Sequence, residues 1–227
     1  MRYPGGKGKT YQHVINLMPP HRVYIETHLG GGSVLRQKLP ADLNIGIDVD
    51  ERALALWSPV DGSNLQLLCA RAEDFLRSYE FVGDELVYID PPYHPATRRQ
   101  ERVYRHDYSE QDHLQLLELV GALPCMVILS GYANPAYAEA LGNWRSSTFR
   151  SKTHADVRTE TLWFNFEPPT VLHDPRYLGG GFREREAAKR RGQRLRDKVH
   201  RMDPRERAAF ARWLHETYPL TQRGSMP

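Results

Sequence analysis

Cysteine is scarce in this chain: 227 residues carry two, Cys69 and Cys125, both inside apolar runs. Two thiols so placed do not staple a small secreted scaffold; they read as core thiols of a cytoplasmic protein. Long apolar runs are missing as well. No stretch reaches the roughly 18 residues of a membrane span, so no membrane partner is expected. The start, Met1-Arg2-Tyr3-Pro4-Gly5-Gly6-Lys7, lacks the apolar core of a signal peptide. Metal-ligand spacing is also lacking. His154 and His173 lie far apart in sequence with no cysteine nearby, so no metal is expected. A phosphate loop is excluded too. Gly8-Lys9-Thr10 could end one only if position 3 were glycine; it is Tyr3, and no strand precedes it.

What is present is an ordinary globular composition, 40% apolar and 26% charged. The net charge of +3 is unevenly spread: residues 176–201 hold ten Arg/Lys against three Asp/Glu. An acidic body with one basic segment points to a polyanion partner. The plain alternative is a solvated basic helix.

Strand-like runs alternate with helical ones. Arg22–Glu26, Leu43–Asp48, Leu65–Ala70, Glu85–Ile89 and Met126–Ser130 read as strands. Ser33–Lys38, Glu51–Trp57, Ala72–Tyr79 and Glu110–Ala122 read as helices, the last with Ser109 as N-cap. Alternating β and α elements predict an α/β fold: a parallel sheet with helices on both faces. Trp144–Ser151 and Thr161–Phe166 predict a C-terminal antiparallel strand pair. Gly179-Gly180-Gly181 reads as a joint before two helices, Phe182–Arg201 and Pro204–Tyr218, the second capped by Asp203 with Pro204 at N1. The division is therefore a catalytic-type domain over 1–175 and a basic helical extension over 176–227.

Two segments carry chemistry. Tyr24 to Ser33 is a strand running into Gly30-Gly31-Gly32 and then a helix. Glycines there allow a sharp turn and close approach of a ligand. Asp48 follows at the end of the next strand, where a carboxylate binds ribose hydroxyls. The third glycine of a dinucleotide fingerprint would fall at position 35, which is Leu35. A nucleoside cofactor without phosphates fits better. The second segment is Asp90-Pro91-Pro92-Tyr93, directly after the apolar run Leu86–Ile89. Two prolines make a rigid, extended turn. The run gathers a carboxylate, a proline carbonyl and an aromatic ring at a strand's C-terminal end, suited to a flat ring bearing an amine.

Arg2 to Lys7, Glu26 to Ser33 and Asp90 to Tyr93, in this order and spacing, resemble the Dam-type (D12 class, α-group) DNA adenine N6-methyltransferases. Thr159 to Asn165 is similar to a late strand of the same family, and the likeness covers roughly residues 1–166. It implies a Rossmann-like methyltransferase sheet, S-adenosyl-L-methionine as cofactor, DNA as partner and N6-adenine methylation. Tyr3, Lys7, Glu26, His28, Gly30, Gly32, Asp48, Asp74, Phe75 and Asp90 would then line the cofactor site. Asp90, Pro91, Pro92 and Tyr93 would hold a flipped adenine. The same likeness implies a bacterial or phage-infected cytoplasm, with phage, prophage or restriction-modification context.

The chain departs from that family twice. Glu26-Thr27-His28 stands where Glu-Pro-Phe is usual. Only 14 residues separate Phe75 from Asp90, too few for the family's recognition insert. Base readout needs an element that enters a groove. The loop 94–108, with Arg98, Arg99, Arg102 and Arg105, is the candidate DNA contact, and short or relaxed sequence specificity is expected. The C-terminal helices offer a route to an oligomer. Cytosine N4 or RNA-base methylation, an inactive DNA-binding module and an NAD-dependent oxidoreductase remain open alternatives.

Overall fold

A computed structural model describes residues 10–57, 64–97, 105–152 and 157–219. Seven strands form one sheet: β1 (Val23–Glu26), β2 (Leu43–Asp48), β3 (Leu65–Cys69), β4 (Glu85–Ile89), β5 (Met126–Gly131), β6 (Arg145–Lys152) and β7 (Val157–Phe164). Among the described residues, eight α-helices accompany them: α1 (Tyr11–Ile15), α2 (Ser33–Gln37), α3 (Glu51–Leu54), α4 (Ala72–Ser78), α5 (Glu110–Gly121), α6 (Pro135–Ala140), α7 (Phe182–His200) and α8 (Pro204–Thr217).

The strand order is β3-β2-β1-β4-β5-β7-β6. The first five strands run parallel, and β7 inserts antiparallel between β5 and β6. This is a Rossmann-like α/β sheet with an antiparallel pair at one end. Its order reverses between β1 and β4. Open α/β sheets bind ligands in the crevice at such a switch point, beyond the strands' carboxyl ends. Glu26 ends β1 and Asp90 follows β4, so the topology alone brings these two carboxyls together.

The five residues of β4 are all buried, as a central strand covered on both faces should be. Alternation along it splits the core. Val87 and Ile89 pack with Leu116, Leu117 and Val120 of α5 and Leu76 of α4. Leu86 and Tyr88 pack on the other face with Val14 and Ile15 of α1 and Val34 of α2.

The structure revises several boundaries. β7 begins four residues earlier than the apolar pattern indicates and ends at Phe164, because Val157–Glu160 pair with Phe149–Lys152 of β6. Cross-strand partners extend a strand into polar sequence. Helix α3 stops at Leu54, with Ala55–Trp57 held in turn-type hydrogen bonds. Helices α1 and α6 are additions; α6 has Asn134 as its side-chain N-cap and Pro135 at N1. Cys125 is buried, but Cys69 is exposed, because β3 is the sheet's edge strand and turns three of its five residues to solvent. The triple glycine is no loose joint: Gly179 N–H donates to Asn16 Oδ1 at 3.3 Å, and Gly180 N–H to Glu184 Oε2 at 2.8 Å.

Candidate active site

The switch point opens into a cleft with about 1180 Å3 of empty space, counting its open mouth. Glu26 to Ser33, Asp48 to Asp50, Ala70 to Ala72, Asp90 to Tyr93, Arg105 to Tyr108 and Asp112 form its wall.

Gly30 and Gly32 adopt left-handed backbone, with φ of 47° and 57°. Gly32 is also hemmed in by an aromatic ring: a Cβ there would lie 1.9 Å from Trp57 Cζ2. The loop is held by Asp48. Its Oδ2 accepts from Gly30 N–H at 2.7 Å and its Oδ1 from Asp50 N–H at 2.8 Å. Burial raises the Asp48 carboxyl above its ordinary range, against those two hydrogen bonds. Asp48 lines the cleft, as the ribose reading requires, but both of its oxygens already brace the glycine loop.

Glu26 is buried at the floor of the cleft. Its Oε2 accepts from Tyr24 O–H at 2.9 Å and from Leu35 N–H at 3.0 Å. Burial pushes its carboxyl up to about 8, and the neighbouring charge of Asp90 pushes the same way. Behind it, Lys38 lies with Nζ 4.3 Å from the centre of the Tyr24 ring and donates to Asn44 Oδ1. Burial brings the Lys38 ammonium down to about 7.

Asp90 is fixed by a residue the motif does not contain. Ser130, fully buried in β5, donates from Oγ to Asp90 Oδ1 at 2.6 Å. Tyr88 Oη lies 3.1 Å from the same Ser130 Oγ. Since the serine's proton goes to Asp90, Tyr88 donates to the serine. Tyr93 packs on Tyr132 with ring centroids 4.6 Å apart. The Arg158 guanidinium sits 4.5 Å from the Tyr132 ring centre and donates to Thr97 O at 2.9 Å.

His28 is committed at both nitrogens. Thr27 Oγ1 lies 2.9 Å from Nδ1, and Nε2 lies 3.0 Å from Tyr108 Oη. Tyr108 donates to Glu73 Oε1 at 2.6 Å, so its oxygen accepts from His28 and the imidazole proton sits on Nε2. Burial lowers the His28 imidazole to about 4, so it is neutral at physiological pH. Glu73 Oε2 faces Arg71 Nε at 3.4 Å, an ion pair without an aligned hydrogen bond. His28 thus pins Tyr108 to the end of β1, a role phenylalanine could not fill.

Other expected residues fall elsewhere. Asp74 is exposed and pairs with Arg77 at 3.8 Å. Phe75 packs on Tyr79, half-buried against the core. Neither lines the cleft: α4 buries Ala72, Glu73 and Leu76, and Ala70, Arg71 and Ala72 form that wall. Arg105 turns to the cleft rim, 3.6 Å from Asp50. Tyr3, Lys7, Arg98, Arg99 and Arg102 lie outside the described residues. Sequence reasoning missed Ser130, Tyr108, Tyr132 and Arg158. The one local signal was Ser130, a lone hydroxyl ending an apolar run.

Charge gives the cleft its character. Asp48, Asp50, Asp90, Asp107 and Asp112 line it, with the mostly protonated Glu26, against Arg71 and Arg105. Both arginines are already paired, Arg71 with Glu73 and Asp112, Arg105 with Asp50. Such a wall repels a pyrophosphate and attracts a cation.

No protein-family model matches the chain, and no curated protein matches it. Solved structures do. N-methyltransferase NodS from Bradyrhizobium japonicum is 9% identical, with 71% of this chain and 97% of that chain covered and a TM-score of 0.48. An rRNA methylase from Streptococcus thermophilus is 9% identical, with 73% and 97% covered and a TM-score of 0.45. The SAM-dependent methyltransferase from Agrobacterium tumefaciens is 12% identical, with 71% and 60% covered and a TM-score of 0.47. At these identities and scores, neither substrate nor chemistry transfers to this chain.

Proposed function

We propose that this protein transfers a methyl group from S-adenosyl-L-methionine to N6 of adenine in DNA, with the target base flipped out of the duplex. One observation carries the reading: Asp90, held by Ser130, stands with Pro91 and Tyr93, whose ring packs against Tyr132, on the wall of an acidic cleft at the sheet's switch point.

The cofactor fits the residues present. It carries a sulfonium and an ammonium but no phosphate, matching a cleft whose described lining has six carboxyl side chains and two arginines, both paired. Glu26 would face the cationic end. Asp48 and Asp50, at the end of β2 and just beyond it, would face the ribose. When bound, the cofactor supplies an electrophilic methyl group.

The chain's own residues do the rest. A base inside a duplex cannot reach an enzyme-bound methyl group, and flipping it costs a few kcal/mol. Stacking on Tyr93 would return about 1–3 kcal/mol. The adenine N6 lone pair is delocalised into the ring and is a poor nucleophile. The Asp90 carboxylate and the Pro91 carbonyl, accepting the two N6 hydrogens, favour a more tetrahedral nitrogen. Its lone pair then forms the new N–C bond as the S–C bond breaks, and the nitrogen sheds one hydrogen as a proton toward Asp90. That interaction strengthens as positive charge develops, so it acts on the transition state.

Short or relaxed sequence specificity belongs to the same proposal. Leu76 to Ile89 are spent on the end of α4, a turn and β4, so no reading element stands between Phe75 and Asp90. A methylome with one strict site of four or more bases would sink that part.

The test is direct. The purified protein is incubated with labelled cofactor and unmethylated DNA, the DNA is digested, and the product nucleoside is identified by mass spectrometry. N6-methyl-2′-deoxyadenosine that disappears in Asp90→Ala supports the proposal. Label on cytosine, or none despite cofactor and DNA binding, refutes it.

A further inference from the structure

Helix α7 buries none of its residues. Its sequence sorts into faces. Ala188, Gly192, Leu195 and Val199 recur at spacings of four, three and four, a heptad seam. Leu195 remains 65% exposed, so the seam is uncovered. A second copy is the obvious candidate for that seam, but the flanking positions argue against it. Lys189, Arg191, Arg196 and Lys198 sit on both sides of the seam. In a homodimer of either orientation these would face one another, and like charges at flanking positions repel.

A separate face points to a different partner. Arg183, Arg190, Arg194 and Arg201 are spaced by seven, four and seven. At 100° per residue they fall within about 20° of one line, over about 27 Å of helix. All four are exposed. Glu186 and Asp197 flank the line, yet none of the four arginines makes an ion pair among the described residues. Arg190 and Arg201 instead donate from Nε to the backbone carbonyls of Glu186 and Asp197, and the Asp197 carboxylate accepts from Gln193. The foot of the helix is fixed to the body through Gly179 and Asn16, so the row is presented from an anchored base.

We propose that the Arg183–Arg190–Arg194–Arg201 row of α7 is a docking surface for the phosphodiester backbone of duplex DNA. Duplex DNA carries one charge per about 1.7 Å, so 27 Å of it offers each guanidinium several phosphates. The row adds affinity without reading sequence, in keeping with a chain that has no reading insert. The inference shares its partner with the proposed function but not its chemistry.

The test uses the full chain and a fluorescein-labelled 30-base-pair duplex, followed by anisotropy between about 50 and 300 mM salt. Each phosphate contact contributes about 0.9 to the slope of log affinity against log salt. The quadruple variant R183Q/R190Q/R194Q/R201Q is expected to lower that slope by about three to four. Each single Gln variant should lower it by about one, which keeps the test valid if the quadruple variant loses helix content. An unchanged slope overturns the proposal. So does a variant whose self-association changes in sedimentation while its DNA slope does not, since the face then belongs to a second copy. DNA binding with this slope but no methyl transfer leaves the row standing and refutes the catalytic reading. Methyl transfer with a wild-type slope in the variant does the reverse.

Discussion

The Glu26 carboxyl makes cofactor binding a proton-linked event. In the free protein its burial, reinforced by Asp90, holds the group near 8, so at pH 6 it is about 99% protonated. On the proposed reading the cofactor brings a sulfonium and an ammonium to this wall. A positive charge beside a carboxyl favours the ionised form, so binding should return Glu26 to the ordinary carboxylate range and release its proton. Lys38 is the other titratable group packed behind Glu26 on this side. At about 7 it is itself mostly protonated at pH 6, so it takes up little there. Calorimetry at pH 6 in buffers of different ionisation enthalpy is therefore expected to show about one proton released per cofactor, and affinity should rise about tenfold per pH unit from 6 to 7 before levelling above 8. Glu26→Gln should release none from this site. The cofactor's own amine titrates equally in both proteins, so the difference belongs to Glu26. The sign for stability runs parallel. A raised carboxyl contributes stability that is fully present below its unfolded value near 4.5 and is lost as pH rises through 8. Lys38, lowered to about 7 from 10.5, contributes with the opposite sign over this range, so Glu26 is read as a difference: between pH 6 and 9 wild type should lose more in melting temperature, or gain less, than Glu26→Gln, and bound cofactor should narrow that difference. Equal proton release from wild type and Glu26→Gln would refute the reasoning.

Other residues offer sharper, smaller tests. Ser130→Ala removes a hydrogen bond to the Asp90 carboxylate, worth about 1.5–3 kcal/mol; kcat should fall about 10- to 100-fold with cofactor affinity unchanged, and steady-state kinetics showing an intact kcat would disprove the role. His28→Phe strands the Thr27 hydroxyl and removes the donor to Tyr108, so thermal unfolding should show a loss of about 1–3 kcal/mol. Because His28 is neutral above about 4, the variant should keep the wild-type pH–rate profile between pH 6 and 9, and a limb that vanishes would show His28 titrating in the reaction. Gly32→Ala forces a Cβ to 1.9 Å from Trp57 at a φ of 57° and should cost about 2–5 kcal/mol of stability. The double variant with Trp57→Ala should recover the clash but not the left-handed backbone; a Gly32→Ala protein as stable as wild type would contradict the packing.

The layered α/β sheet was legible because its signals are local. Apolar runs such as Leu86–Ile89 and the capped helix at Ser109 each report on their own neighbourhood. Asp90 and the glycine loop were legible for a related reason: proline and glycine restrict backbone in ways visible in sequence. Errors gathered where a partner decides. Arg158, Thr159 and Glu160 are polar, yet β6 recruits them, with Val157, into β7. Cys69 sits in an apolar run, yet β3 has no strand beyond it. In the pair Glu73 and Asp74, sequence gives no sign of which carboxyl turns inward; the rotation of α4 chooses Glu73.

The supporting residues of the site were illegible for a deeper reason. Asp90 is oriented from β5, 40 positions away in sequence, and β5 is its neighbour only because the sheet order places β4 beside it. Tyr93 is backed by Tyr132, beyond the end of β5, and by Arg158 of β7, which stands next to β5 only through the antiparallel insertion. His28 and Tyr108 meet across 80 positions. The groups proposed to touch substrate sit on motifs, while the groups that aim them arrive through strand order. The same geometry bears on the short connection between α4 and β4. Shortening the connection between α4 and β4 leaves every one of these pairings intact, because none passes through it. On the proposed function, a short connection there is compatible with keeping the carboxylate, the Tyr93 ring and the glycine loop in register, and phosphate contacts supplied elsewhere, as by the proposed arginine row of α7, would carry DNA affinity without a reading element.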